Sequence, residues 1–326
     1  MDVWFVDGSG IHRRGPEDVV ELFGHDDGFF WIDVPEWDDD TESVLRGLGC
    51  HPMVVEACRN RNYVPTLHGY ADHVFVTTQS PFLGDAGHVH LLELDQIVAH
   101  DYLVTVHGPI NPEVATEHAL VETRGVRERI DAGRFRPKTP ADLSYAVTSA
   151  VARRQSAVVR EVASRLPGLE REVMSSQLRD PEALLETLFL SRHELITTRT
   201  MAAQCHDIWT RMTEIDRLAD DAEAAHARDL AAQFDRVRSI ADGEAQFLFG
   251  VIELYQTKVH TKMTVAMERL AVIAAVTLPI TAIASVYGMN VIVNAHTHWV
   301  ELGLLLALML VISLTLLRWA RRQGWW

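Results

Sequence analysis

The chain has 326 residues, 48% of them hydrophobic and 23% charged, which excludes a wholly disordered or collagen-like protein. Its net charge of −15 argues against a nucleic-acid binder, because phosphates demand Lys and Arg, and it suits a protein that handles cations. The mean hydropathy of +0.01 averages two unlike regions. Residues 270–300 and 302–317 contain no Asp, Glu, Lys or Arg, whereas the rest is dense in charge, so a soluble domain with a membrane tail is expected.

The three cysteines, Cys50, Cys58 and Cys205, form no C-x-x-C pair and read as small buried thiols rather than zinc ligands or a disulfide framework. Only three lysines occur, Lys138, Lys258 and Lys262, which reads as a genome bias. Residues 1–10 hold two Asp and no basic run, so no signal peptide is expected there, and the targeting information falls to the C-terminal apolar pair.

Residues 1–140 read as a mixed α/β domain. Short apolar runs at 3–6, 29–34, 73–79, 91–99 and 102–106 predict strands. Helix candidates lie between and after them at 16–23, 41–48, 52–59 and 112–123, several with Pro or Asp at the start. Asp95 with His100 and Asp101 resembles an acid–base cluster but is read as sheet edges and turns. His88 and His90, two apart on a strand, would share one face.

Residues 141–265 change character to a long-helix bundle and stalk. Thr139-Pro140-Ala141-Asp142 is a helix start: Thr caps, Pro suits the first turn and Asp favours the dipole. No proline occurs between Pro181 and Pro279, so two or three long helices are expected. The last should run from about His226 into the membrane, through Gly243 and Gly250. Such a rod of roughly 90 Å cannot be buried by one copy and calls for self-association.

Residues 266–290 are expected to be a first transmembrane helix, 291–298 an outer loop, 299–319 a second transmembrane helix and 320–326 a basic, Trp-rich tail. Arg318, Arg321 and Arg322, with Trp319, Trp325 and Trp326, put the C-terminus on the cytoplasmic side. Two spans return the N-terminal domain to that side, and Lys258, Lys262 and Arg269 agree.

Along the first span, Met267, Leu270, Ala274, Thr277 or Leu278, Thr281, Ser285 and Gly288 recur every three or four residues. This puts small and polar residues on one stripe, which should face protein or water. A helix–helix contact, with hydroxyls bonding back to the i−4 carbonyl, would produce the same stripe. Pro279 should weaken or bend the helix in mid-span.

The span ends in Tyr287-Gly288-Met289-Asn290. Together with Pro279-Ile280-Thr281, the short loop, the second span and the basic–Trp tail, this closely resembles the CorA family of magnesium channels. The Gly-Met-Asn tripeptide is that family's signature. The resemblance is residue-level from about Arg228 to Asn290 and architectural elsewhere.

The resemblance implies an α+β fold: a cytoplasmic α/β domain, long stalk helices and a two-helix C-terminal membrane hairpin, in a funnel-shaped homopentamer embedded in the inner membrane. Gly288, Met289 and Asn290 would be the selectivity filter, Asn290 offering amide oxygens to a hydrated cation. Magnesium sheds water reluctantly, so contact through its water shell suits it. Thr281 would form a lower polar ring, and Leu278, Leu270 and Met267 an apolar constriction that gates by dewetting. Glu253 matches an acidic ring near the cytoplasmic mouth. Mg2+ would be both the transported and the regulatory ion, with no cofactor. Asp229, in Arg228-Asp229-Leu230, falls where a regulatory acid sits, its partner lying in the α/β domain.

The outer loop departs from the family. It holds no carboxylate until Glu301 and carries His296-Thr297-His298. Imidazole favours zinc, nickel or cobalt, so these residues keep a zinc-transporting relative, the ZntB type, open as the alternative, beside interfacial polar residues. A membrane-anchored scaffold without transport is a further class, disfavoured by the intact stripe and Asn290. An enzyme is not expected, because no Walker A loop, G-x-G-x-x-G, G-x-S-x-G or H-E-x-x-H occurs.

Overall fold

The computed structural model describes residues 1–15, 19, 28–60, 62, 64–84, 87–108, 113–175, 180–213, 221–288 and 299–322. They form two compact units, Met1–Val251 and Ile252–Trp326. In the first unit, β1 (Asp2–Asp7), β2 (Gly10–Arg14), β3 (Gly28–Val34), β4 (Leu67–Gly69), β5 (His73–Leu83), β6 (Val89–Ala99) and β7 (Tyr102–Val106) make one sheet. Its order is β2-β1-β3-β7-β6-β5-β4. Only β3 and β7 pair in parallel, so the sheet is mixed and mainly antiparallel.

Alternation along the strands builds two cores, because successive side chains point to opposite faces. Trp4, Val6 and Trp31 face α4 (Val121–Asp131), α5 (Pro140–Met174), α6 (Pro181–Met212) and the start of α7 (Asp221–Gly288). Val3, Phe5, Phe30 and Ile32 face α1 (Asp39–Gly47) and α2 (Pro52–Arg59). The expected helix start at Thr139 is a reciprocal cap. Asp142 N–H donates to Thr139 Oγ1 at 3.1 Å, and Thr139 N–H donates to Asp142 Oδ2 at 3.3 Å. Asp180 caps α6 in a similar way, accepting from Glu182 N–H and Ala183 N–H. All three cysteines are buried and free, and burial pushes the Cys205 thiol up to about 12.

The sequence-based expectations need five corrections. β2 and β4 went unforeseen: β2 holds a single aliphatic residue and β4 is three residues long. β5 runs past Gln79 through Pro81. Proline is tolerated there because β4 pairs only with Val74–Val76, leaving that edge without a ladder to interrupt. The expected helix at 112–123 is α3 (Thr116–Ala119) followed by α4, which continues to Asp131 because Val126 and Ile130 are buried. The second apolar helix, α8 (Trp299–Arg322), takes in Arg321 and Arg322 as well. Of the candidate at 16–23, only Val19 lies among the described residues.

The fifth correction concerns Asp95, which is no edge residue. It is fully buried in the interior strand β6, and Thr77 Oγ1 donates to its Oδ1 at 2.6 Å. His100 and Asp101 do occupy the turn to β7, hydrogen-bonded to each other. Burial, and then the neighbouring Glu93 carboxylate, push the Asp95 carboxyl well above the ordinary range. The folded chain therefore holds a proton that the unfolded chain has released above about pH 4. Stability is lost as pH rises from that value toward the folded one. Asp95→Asn removes this loss. Its melting temperature is expected to gain on the wild type as pH rises above about 4, at about 2–4 °C per kcal/mol. Parallel pH profiles for the two proteins would refute a protonated Asp95.

Candidate pore-lining face

The second unit contains the later part of α7 and all of α8. α7 is 68 residues long and α8 is 24. Both are long and apolar enough to cross a membrane. Their apolar side chains are uncovered: Leu304 is 67% exposed and Leu310 61%. In water such surfaces would aggregate, so lipid or further protein must cover them.

At 100° per residue, Met267, Leu270, Ala274, Thr277, Leu278, Thr281, Ser285 and Gly288 fall within about 100° of arc on α7. Glu253 extends the arc to about 120°. All of these positions are exposed, with Leu270 and Leu278 each at 66%. Val272, on the far side of the helix, is 4% exposed. The stripe thus turns away from the buried side of its own unit. Pro279 lies inside α7 and removes the donor that would meet the Ala275 carbonyl.

The hydroxyls on the stripe bond backward. Thr281 Oγ1 donates to the Thr277 carbonyl at 2.9 Å, and Thr277 Oγ1 donates to the Ile273 carbonyl at 2.8 Å. With their protons committed to the backbone, both oxygens present only lone pairs outward. Outward lone pairs can accept from the hydrogens of a hydrated cation, and the same back-bonded hydroxyls are those a helix–helix contact would show.

Gly288 is the last described residue of α7, while Met289, Asn290, His296 and His298 lie outside the described residues. Glu301 sits in the first turn of α8. Among the described residues, no group of three His, Cys, Asp or Glu is placed to hold a metal ion.

Asp229 belongs to the first unit, on α7. Tyr145 Oη donates to its Oδ2 at 2.7 Å, and Gln233 Nε2 donates to the same oxygen at 2.6 Å. The Tyr145 bond, followed by the Gln233 bond, holds the Asp229 carboxyl below the usual range, so it is ionised and fixed in place at neutral pH. Gln233 was legible as an i, i+4 partner on one helix face. Tyr145 was not, since 84 residues separate it from Asp229.

A mixed α/β domain followed by a long helix and two apolar C-terminal segments defines a class of membrane proteins whose soluble unit precedes its spans. The sequence profile described as CorA-like Mg2+ transporter protein matches residues 26–322, and the chain belongs to that family. The family is one of transporters.

The chain is 23% identical over 305 residues to the putative metal ion transporter YfjQ of Bacillus subtilis, covering 92% of this chain and 91% of that one. It is 24% identical over 304 residues to the cobalt/magnesium transport protein CorA of Thermotoga maritima, covering 90% and 83%. The CorA magnesium transporter structure from Methanocaldococcus jannaschii superposes with a TM-score of 0.78 at 16% identity, covering 100% and 99%. The ZntB cytoplasmic domain from Vibrio parahaemolyticus shares the fold at a TM-score of 0.54 and 10% identity, over 81% of this chain and 98% of that one.

Proposed function

We propose that the chain is a divalent-cation channel whose main ion is Mg2+, with Co2+ and Ni2+ as further substrates. The observation that carries this reading is the exposed acceptor face of α7, turned away from buried Val272. In the proposal, five copies in the inner membrane bring these faces together around a central path, with both termini cytoplasmic. Arg318, Arg321 and Arg322 at the end of α8 support that orientation.

Gly288, Met289 and Asn290 form the filter at the outer mouth, and Thr281 forms a hydroxyl ring below it. Leu278, Leu270 and Met267 close the path by excluding water, and Glu253 concentrates cations at the inner mouth. Asp229, ionised and held by Tyr145 and Gln233, contributes to a regulatory divalent site between neighbouring copies. Cytoplasmic Mg2+ bound there favours the closed state, because it binds that state better.

The apolar constriction makes its own test. Leu270→Ser replaces a dewetting side chain by a wetted one. It is expected to raise Mg2+ uptake several-fold when Mg2+ is already plentiful inside liposomes. Uptake as low as that of the wild type would remove Leu270 from the gate.

A second reading, a ZntB-like zinc transporter coupled to protons, is favoured by His296 and His298 in the outer loop. Uptake into proteoliposomes separates the two. Mg2+ entry that follows membrane potential and survives His296→Ala with His298→Ala supports the channel. Zn2+ entry that needs a pH gradient and fails in the double variant replaces it with the zinc transporter.

A further inference from the structure

Between Glu253 and Met267, α7 carries His260. These three residues stand seven apart, so each is turned by only about 20° from the next on a straight helix. Gln256 and Met263 fall inside the same arc, and all five side chains are exposed. His260 thus lies on the face that continues through Leu270 and Thr281 to Gly288.

Two observations single this residue out. The fixed positive charges of the same stretch avoid its face: Lys258, Lys262 and Arg269 fall about 160–180° from it around the helix axis. Its imidazole is also uncommitted. The His260 carbonyl accepts from Thr264 Oγ1 at 3.0 Å, but among the described residues its ring has no hydrogen-bond or ion-pair partner. A face that keeps carboxylate, amide, imidazole and thioether groups, and turns its three basic residues away, is one that cations approach.

The donors on this face sort ions. Mg2+ takes oxygen ligands and keeps several of its waters. Imidazole nitrogen suits Ni2+ and Zn2+ instead, and Met263, one turn away, adds a soft thioether. One chain alone assembles no metal site here, since among the described residues no group of three His, Cys, Asp or Glu is placed for it. His260 supplies a single side chain, so a site built on it is complete only where copies of α7 meet.

We propose that His260 from neighbouring copies forms a ring of imidazoles on the inner part of the ion path, a site for Ni2+ and Zn2+ that Mg2+ passes without binding. This rests on the channel reading, which brings the faces of five copies around one axis. Conduction requires that an ion bind weakly enough to leave. Hydrated Mg2+ moves past the ring, whereas Ni2+ exchanges water for nitrogen, stays longer and obstructs the path. His260 is therefore a specificity-determining residue, acting on transition ions separately from the filter at the outer mouth.

Ni2+ is the probe, and the full chain in detergent is titrated by calorimetry beside His260→Gln. The wild type is expected to bind one more Ni2+ per five chains than the variant, a ratio that a site within one chain would not give. Equal binding by the two proteins, or a difference of one ion per chain, would overturn the proposal. Uptake into proteoliposomes separates this site from the channel reading. Ni2+ is expected to inhibit Mg2+ uptake by the wild type at a concentration at least tenfold lower than for His260→Gln, each scaled to its own uptake without Ni2+. Inhibition at the same concentration, with Mg2+ uptake intact, would strike His260 and leave the channel. Absence of Mg2+ uptake from the wild type, with His260-dependent Ni2+ binding retained, would strike the channel and leave the metal site.

Discussion

Asn290→Ala is expected to lower Mg2+ uptake into proteoliposomes at least tenfold while leaving the folded protein intact. In the proposed pentamer, Asn290 supplies amide oxygens that accept hydrogen bonds from the water shell of the ion. A hydrogen bond to a charged group contributes about 1.5–3 kcal/mol. A change of about 1.4 kcal/mol is tenfold, and the substitution removes the contact from every copy at once. Asn290→Asp keeps an acceptor oxygen and adds charge, so it should retain uptake but discriminate less among divalent ions. Asn290→Gln keeps the amide and displaces it by one methylene, so intermediate uptake is expected. Equal uptake by the wild type and the Ala variant, with matched melting temperatures, would take Asn290 out of the filter and favour an anchored scaffold.

Most of the architecture was legible because local chemistry and global fold agree. Pro52 and Thr139 announce helices that begin where those residues stand. The apolar runs at 29–34 and 102–106 lie in β3 and β7, the central parallel pair, where both sheet faces are covered. The stripe on α7 was readable because a period of 3.6 stands out within a segment otherwise made of apolar residues.

What escaped was polar and long-range. Gln96, Ser144 and Thr148 look like surface residues in sequence. In the fold, Ser144 Oγ donates to Gln96 Oε1 and Gln96 Nε2 donates to Thr148 Oγ1, all buried between β6 and α5. Gln155 similarly donates across to the Gln79 carbonyl at 2.8 Å. No periodicity encodes such pairs, because each partner alone is a poor core residue and only their meeting makes the burial tolerable. The same holds for Asp95, and for the Tyr145 hydroxyl that holds Asp229.

The strongest effect on folding is expected at the junction of α4 and α5. Glu122 is 3% exposed, and Arg154 Nη1 donates to both of its carboxylate oxygens at 3.1 Å. Ser80 Oγ adds a third bond from β5 at 2.7 Å, and Arg154 also reaches the His118 carbonyl. Arg154→Met keeps much of the side-chain stem but leaves the carboxylate buried with a hydroxyl as its only remaining donor among the described residues. Breaking a buried pair on one side costs about 3–5 kcal/mol. For a unit of this size, that corresponds to a fall of roughly 10 °C in melting temperature. Replacing both partners, Arg154→Met with Glu122→Leu, removes the stranded charge and should restore most of the loss, since an apolar pair of similar volume is often neutral. A double variant no more stable than the single one would mean that the pair acts through its bonds to Ser80 and His118 rather than through its charge. A double variant that recovers stability would confirm that the cost lies in the uncompensated carboxylate.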